Sequence, residues 1–172
     1  MSGRHRPDRH LVLIGLMGTG KTTVGRVLAE RTRRPFVDTD AEIEHRTGRA
    51  VRNIFAEDGE PEFRRIEAEV LAEAIANDEP SIIAAAGGVV LSEENRAALR
   101  GGRCRVVWLV ADPAALVARV KQGVHRPAVE ADPEGTLALM AEQRETFYRQ
   151  SADAIVCVDG RTVQDVVEAV MR

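Results

Sequence analysis

The sequence predicts an α/β domain built on a parallel sheet. Two observations carry that prediction. Strand-sized apolar runs alternate with amphipathic segments from end to end. A glycine-rich turn, "GLMGTGKT" at residues 15–22, also separates the first apolar run from the first helical segment. With 172 residues and 44% hydrophobic content, the chain has material for one good core and therefore one domain.

Taken in order, the strands are expected at 10–14, 35–38, 81–85, 105–110 and 154–158. Helices are expected at 21–32, 41–47, 60–77, 93–99, 113–120, 136–151 and 163–171. Their ends are well punctuated. Gly48 and Gly101 stand where C-terminal caps belong, Ser92 and Asp112 can cap N-termini, and Pro113 takes a first helical position. The stretch "KQGVHRPAVEADPEG", residues 121–135, has two glycines, two prolines and little periodicity, so it reads as a long loop of the kind that is either functional or disordered. Trp108, the only tryptophan, lies in an apolar run and reads as core. Residues 1–9 read as a frayed tail and 10–172 as the single folded domain.

Composition narrows the function. The net charge is −3 and the basic residues are scattered, which argues against a nucleic-acid footprint or a polybasic membrane patch. The longest apolar runs, "LVLIG" and "VVWLVA", are far too short to span a bilayer, and the first ten residues lack the apolar stretch of a signal peptide. Cys104 and Cys157 lie 53 positions apart, in no metal or redox spacing, so reduced thiols in a cytoplasmic protein are expected.

Lys21 is one of two lysines in a chain with 22 arginines. Gly15, Gly20, Lys21 and Thr22 satisfy G-x-x-x-x-G-K-[ST] between a predicted strand and a predicted helix, the context this phosphate loop requires. The glycines let backbone N–H groups curl around phosphates at a helix N-terminus. A compact ammonium can follow the β- and γ-phosphates, whereas a forked guanidinium fits the tight loop poorly. Gly18, Thr19, Gly20, Lys21, Thr22 and Thr23 are accordingly the expected nucleotide-binding residues, with the Thr22 hydroxyl offered to Mg²⁺.

"FVDTD" ends the second strand with Asp38 and Asp40 two residues apart, a strand spacing that sends both carboxylates the same way. Ligands bind beyond the carboxyl ends of such strands, close to the phosphate loop. One acid can hold the Mg²⁺ shell and the other can face an acceptor hydroxyl. The plainer reading is a solvated turn whose aspartate caps the helix beginning near Ala41.

From residue 10 to the end the chain resembles the shikimate kinase family, through "GLMGTGKTTVGR", "FVDTDAEIE", "IFAEDGEPEFRRIE", "AAGGVVL", "HRP" and "RETFY" in the family's order. The loop motif alone is shared by many nucleotide-binding families; the D-x-D, G-E-x-x-F-R and G-G set together is specific. The resemblance implies transfer of a phosphoryl group from Mg²⁺-ATP to the 3-hydroxyl of shikimate, on the way to the aromatic amino acids. It also implies a monomer with the P-loop, nucleoside-monophosphate-kinase-like three-layer fold, whose five-stranded parallel sheet has the order 2-3-1-4-5.

Carried over by motif, Asp40 corresponds to the aspartate that contacts the acceptor hydroxyls, and Thr22 and Asp38 to the magnesium positions. Arg64 and Arg144 correspond to the arginines that bind the shikimate carboxylate. Gly87 and Gly88 correspond to the backbone lying against the substrate ring. Arg126 corresponds to the lid arginine over the phosphates, acting with Lys21 and Asp40 in catalysis. Arg119 and Arg161 correspond to positions near the adenine, where a guanidinium can stack. Two residues depart from the pattern: Ala86 stands at the first position of the glycine triplet, and Thr146 replaces a proline in "RETFY".

The residues themselves leave one alternative open. "EFRRIEAE" also reads as a helix face laced with Glu–Arg pairs, and Arg144 has Glu142 and Glu145 close by. Two planar guanidinium forks nevertheless suit a carboxylate better than two ammoniums. Among related kinases, the competing acceptor is a sugar acid such as gluconate. A nucleotide switch is disfavoured, because no N-K-x-D motif is present.

Overall fold

A run with no polar residue from Leu11 to Ile14 is stable only where both of its faces are covered, and β1 (His10–Ile14) is buried at every position. It occupies the centre of a parallel sheet with β2 (Phe36–Asp38), β3 (Ile82–Ala84), β4 (Cys104–Val110) and β5 (Ala154–Cys157). The strand order is β2-β3-β1-β4-β5. Val12 lies opposite Ile83 on one side and Val106 on the other. The computed structural model describes residues 8–122 and 127–172.

The helices are α1 (Lys21–Thr32), α2 (Thr39–Thr47), α3 (Val51–Asp58), α4 (Glu60–Ala76), α5 (Glu93–Arg100), α6 (Pro113–Lys121), α7 (Pro127–Glu130), α8 (Pro133–Ser151) and α9 (Val163–Met171). The β1→β2 connection runs toward one sheet edge, and every later connection runs the other way. Right-handed crossovers therefore put α1 on one face and α4, α5 and α8 on the other. Packing follows this division: α1 contacts α9, β2 and β3, whereas α5 contacts both α4 and α8. Leu13, Ile82, Ile83, Val107 and Leu109 form the centre of the core, all essentially inaccessible to solvent. Truncating one of these, as in Leu13→Ala, costs about 2–5 kcal/mol through lost burial and the cavity left behind.

A second, smaller cluster of Ile43, Ile54, Phe63 and Val70 joins α2, α3 and α4, with the Phe55 and Phe63 rings 4.3 Å apart. These three helices form a separate apolar wedge beside the carboxyl end of β2.

All five expected strands are present, and the anticipated caps are made. Gly48 and Gly101 close α2 and α5, while Ser92 and Asp112 accept N–H groups of the helices they precede. Four details differ from expectation. The second helix begins at Thr39, because Asp38 and not Asp40 caps it by accepting the Ala41 N–H. α3 occupies a stretch with no assigned element; its eight residues are too few for a clear period, and it is held mainly by Ile54 in the small cluster. A 3₁₀ turn, Val89–Leu91, follows the glycines. The 121–135 stretch is partly helical, since Pro127 starts α7 and Pro133 starts α8, with Asp132 accepting the Gly135 N–H. At the other end of the chain, Arg9 donates to the Cys104 carbonyl at 3.2 Å.

Candidate active site

The site is built around the turn after β1. Gly15 has φ 141°, and a Cβ there would lie 2.3 Å from the Leu109 carbonyl oxygen, so only glycine lets the loop leave the sheet this closely. The Thr19 hydroxyl donates to the Leu16 carbonyl at 2.8 Å and braces the loop from inside. Lys21 Nζ donates to the carbonyls of Gly15 at 2.7 Å and Leu16 at 3.0 Å, so its ammonium lies over the loop. No acidic residue occupies the first turn of α1. No side chain of that turn therefore offsets the partial positive charge of its N–H groups toward the cleft.

The next functional pair is Thr22 and Asp38, at the start of α1 and the end of β2. Thr22 Oγ1 donates to Asp38 Oδ2 at 2.6 Å. A hydroxyl and a carboxylate this close can share a Mg²⁺ ion. No group of three or more metal-ligating His, Cys, Asp or Glu side chains occurs among the described residues. The pair fits magnesium, which keeps several waters and takes one or two protein ligands beside phosphate oxygens. Asp40 is not on the strand with Asp38 but in the first turn of α2. The alternating-strand argument for its direction therefore fails, yet both carboxylates line the same cleft.

That cleft has a volume of about 490 Å³. It brings together Gly18, Thr19, Gly20, Lys21, Thr22 and Thr23 with Asp38, Asp40, Ala86, Gly87, Arg119, Arg144 and Arg161. Arg119 donates to the Gly18 carbonyl at 3.2 Å, which fixes it beside the phosphate loop. Arg144, on α8, is 8% exposed, and its buried Nε has no hydrogen-bond partner among the described residues. A buried guanidinium N–H in that condition is costly unless an anion completes it. Ala86 adopts an ordinary backbone conformation, so the methyl at the first triplet position introduces no strain. Arg126 lies outside the described residues.

Arg64 and Gly88 are not among the residues lining the cleft; Gly88 adjoins Gly87, which is, and packs against Arg64. A Cβ on Gly88 would lie 2.0 Å from Arg64 Nη1, so the glycine makes room for the guanidinium. Arg64 does form the helix-face pairs that the plainer reading predicts. Its Nη1 reaches both oxygens of Glu67 at 2.9 and 3.1 Å, and Glu60 is 3.3 Å from Nε and Nη2. These are not all surface pairs, however. Glu67 is fully buried, and burial pushes its carboxyl pKa up, opposed chiefly by Arg64, while Asp40 adds to the rise and Arg144 counters it. Arg64, Glu67, Asp40 and Arg144 are thus one electrostatic cluster at the acceptor end.

Glu67 is the buried partner of Arg64 that sequence reasoning missed. The available signal was a glutamate three residues after Arg64 on a helix whose neighbours Phe63 and Val70 are apolar. Tyr148 was passed over too, although its hydroxyl donates to the Gly87 carbonyl at 2.5 Å.

A phosphate loop facing an acid, with arginines on the far wall of a cleft of this size, defines a P-loop kinase of small anionic acceptors. The shikimate kinase family model matches residues 17–172. A shikimate kinase from Symbiobacterium thermophilum is 52% identical over 165 residues, covering 94% of each chain. One from Pseudomonas entomophila is 44% identical over 160 residues, covering 92% of each. The structure of the shikimate kinase from Acinetobacter baumannii in complex with shikimate superposes with a TM-score of 0.89 at 33% identity, covering 95% of this chain and 90% of that one. The chain belongs to the shikimate kinase family.

Proposed function

We propose that the chain transfers the γ-phosphoryl group of ATP to the 3-hydroxyl of shikimate, giving shikimate 3-phosphate and ADP, and that the residues gathered in the cleft divide the work as follows. Gly18 to Thr23 hold the phosphates through backbone N–H groups, and Lys21 turns from the loop carbonyls to follow the charge that moves with the γ-phosphoryl. Thr22 and Asp38 hold Mg²⁺, which neutralises phosphate charge when bound. Asp40 accepts the proton of the acceptor hydroxyl. Arg144 and Arg64 clamp the acceptor carboxylate, and Glu67 fixes the Arg64 fork from behind. Gly87 and Gly88 present backbone to the ring. Arg119 and Arg161 flank the adenine, and Arg126 completes the lid.

One observation carries this reading: Lys21, Asp40 and the buried Arg144 all line one cleft. No described helix is long and apolar enough to cross a membrane. With both cysteines unpaired, we place the enzyme in the cytoplasm, and from its family resemblance we take it to act as a monomer. ADP release measured with shikimate, with gluconate and without acceptor tests the proposal. Turnover should require shikimate; equal turnover on gluconate would overturn it.

A further inference from the structure

The segment that backs the acceptor is held at three successive residues by side chains from three helices. The Ala86 N–H donates to the buried Thr39 hydroxyl of α2 at 2.9 Å. The Gly87 carbonyl accepts the Tyr148 hydroxyl of α8. Gly88 lies against the Arg64 guanidinium of α4. Thr39 orients the Ala85–Ala86 peptide plane, and Tyr148 orients the next-but-one plane, Gly87–Gly88. In a trans peptide the N–H opposes the C=O, so a Gly87 carbonyl held by Tyr148 turns the Gly88 N–H the opposite way. A Gly-Gly pair has little intrinsic preference for that orientation, so the restraint must come from outside it.

Tyr148 is itself firmly seated. It is 1% exposed, and its ring stacks on Trp108 with centroids 5.5 Å apart and planes 25° apart. The Arg149 guanidinium also lies 5.5 Å from the Trp108 ring centroid. Arg144 precedes Tyr148 by four residues, one turn of the same helix, and a Cβ on Gly87 would lie 3.5 Å from both Arg144 Nη1 and the phenol oxygen.

We propose that Tyr148 is a positioning residue for the acceptor: its hydroxyl holds the Gly87 carbonyl and so fixes the Gly87–Gly88 peptide at the cleft wall, while Arg144, one turn away, takes the carboxylate. Helix α8 thus sets the clamp and the backing wall together, and one displacement of the helix would misplace both. Burial pushes the phenol pKa up to about 12 against the pull of Arg144, so the hydroxyl stays a donor throughout the working pH range. This inference rests on the acceptor reading proposed above.

Tyr148→Phe keeps the ring and its stack on Trp108 and deletes only the hydroxyl. The shikimate KM should rise about tenfold, the affinity equivalent of one buried hydrogen bond, while the ATP KM stays within about twofold. A purely structural role predicts instead a lowered melting temperature with both KM values unchanged. Because Tyr148 is the only tyrosine, enzyme grown on 3-fluorotyrosine carries a single fluorine probe at this position and needs no substitution. Shikimate should shift that one ¹⁹F resonance, and ADP alone should shift it much less. Arg144→Lys, run in the same assay, separates the two ideas. A raised shikimate KM in Arg144→Lys, with an unchanged KM in Tyr148→Phe or a resonance that shikimate does not move, overturns the role of Tyr148 alone. If Arg144→Lys also leaves the KM unchanged, the acceptor reading falls and this inference falls with it.

Discussion

The Thr22 hydroxyl donates a 2.6 Å hydrogen bond to Asp38 Oδ2, joining the first turn of α1 to the end of β2. Asp38 also caps α2 through its other oxygen, so one side chain ties the nucleotide end of the cleft to the helix that carries Asp40. If the pair holds Mg²⁺, Asp38→Asn should raise the Mg²⁺ concentration for half-maximal rate by roughly 10–100-fold. The check is rate against free Mg²⁺ at saturating ATP and shikimate. Superimposable curves for the variant and the natural enzyme would remove Asp38 from the metal site.

Asp40 sits two residues further on, in the first turn of α2, and faces the same cleft as Lys21. If Asp40 is the base for the acceptor hydroxyl, Asp40→Asn should lower kcat by roughly 10²–10⁴-fold, the usual contribution of a general base. Nucleotide affinity should hardly change. Retention of more than about half of kcat would reject the role.

Sheet and phosphate loop were legible because their signals are local. A buried parallel strand shows itself in "LVLI", and the loop in the spacing from Gly15 to Thr22. The strand order was legible only through the family resemblance, since neither periodicity nor spacing says which strands pair. Local reasoning misplaced the start of α2, because Asp38 and Asp40 are both good caps and the choice is made by geometry at the strand end. Glu67 was hard to read for another reason. On a helix rich in glutamate, only its place between the apolar Phe63 and Val70 sets it apart from Glu62 and Glu69, which pair with Arg65 at the surface. Tyr148 and Gly87 are 61 residues apart, and only the tertiary fold reveals their contact.

At the opposite, amino end of β1, His10 is buried with both ring nitrogens engaged. Nδ1 accepts the Ser81 N–H at 3.1 Å, which leaves Nε2 to donate to the Asn77 carbonyl at 3.0 Å. Burial lowers its pKa below 6.5, aided by the charges of Arg103 and Arg34 and opposed by the Asn77 hydrogen bond. The folded chain therefore keeps the ring neutral, while the unfolded chain takes a proton below about pH 6.5. Stability from this group is full above that value and is lost as pH falls toward the lower folded pKa. His10→Gln cannot bind that proton, so its midpoint denaturant concentration should fall less between pH 7.5 and 5 than that of the natural chain. Parallel pH curves would show that His10 contributes no such linkage.

Phosphorylation of shikimate methyl ester tests the carboxylate clamp most directly. Arg144 is buried with its Nε unpartnered among the described residues, and Arg64 is pinned by Glu67 against Gly88. The ester keeps every hydroxyl and loses only the charge these two forks are proposed to read. Arg64→Lys and Arg144→Lys should each raise the shikimate KM strongly and leave the ATP KM nearly unchanged, because an ammonium cannot reproduce a bidentate fork. With the natural enzyme, the ester should be a very poor acceptor. Its disadvantage should shrink in the arginine variants, where less of the clamp is left unpaired. Equal kcat/KM for ester and acid with the natural enzyme would contradict the clamp, and with it the assignment of Arg64 and Arg144 to the acceptor.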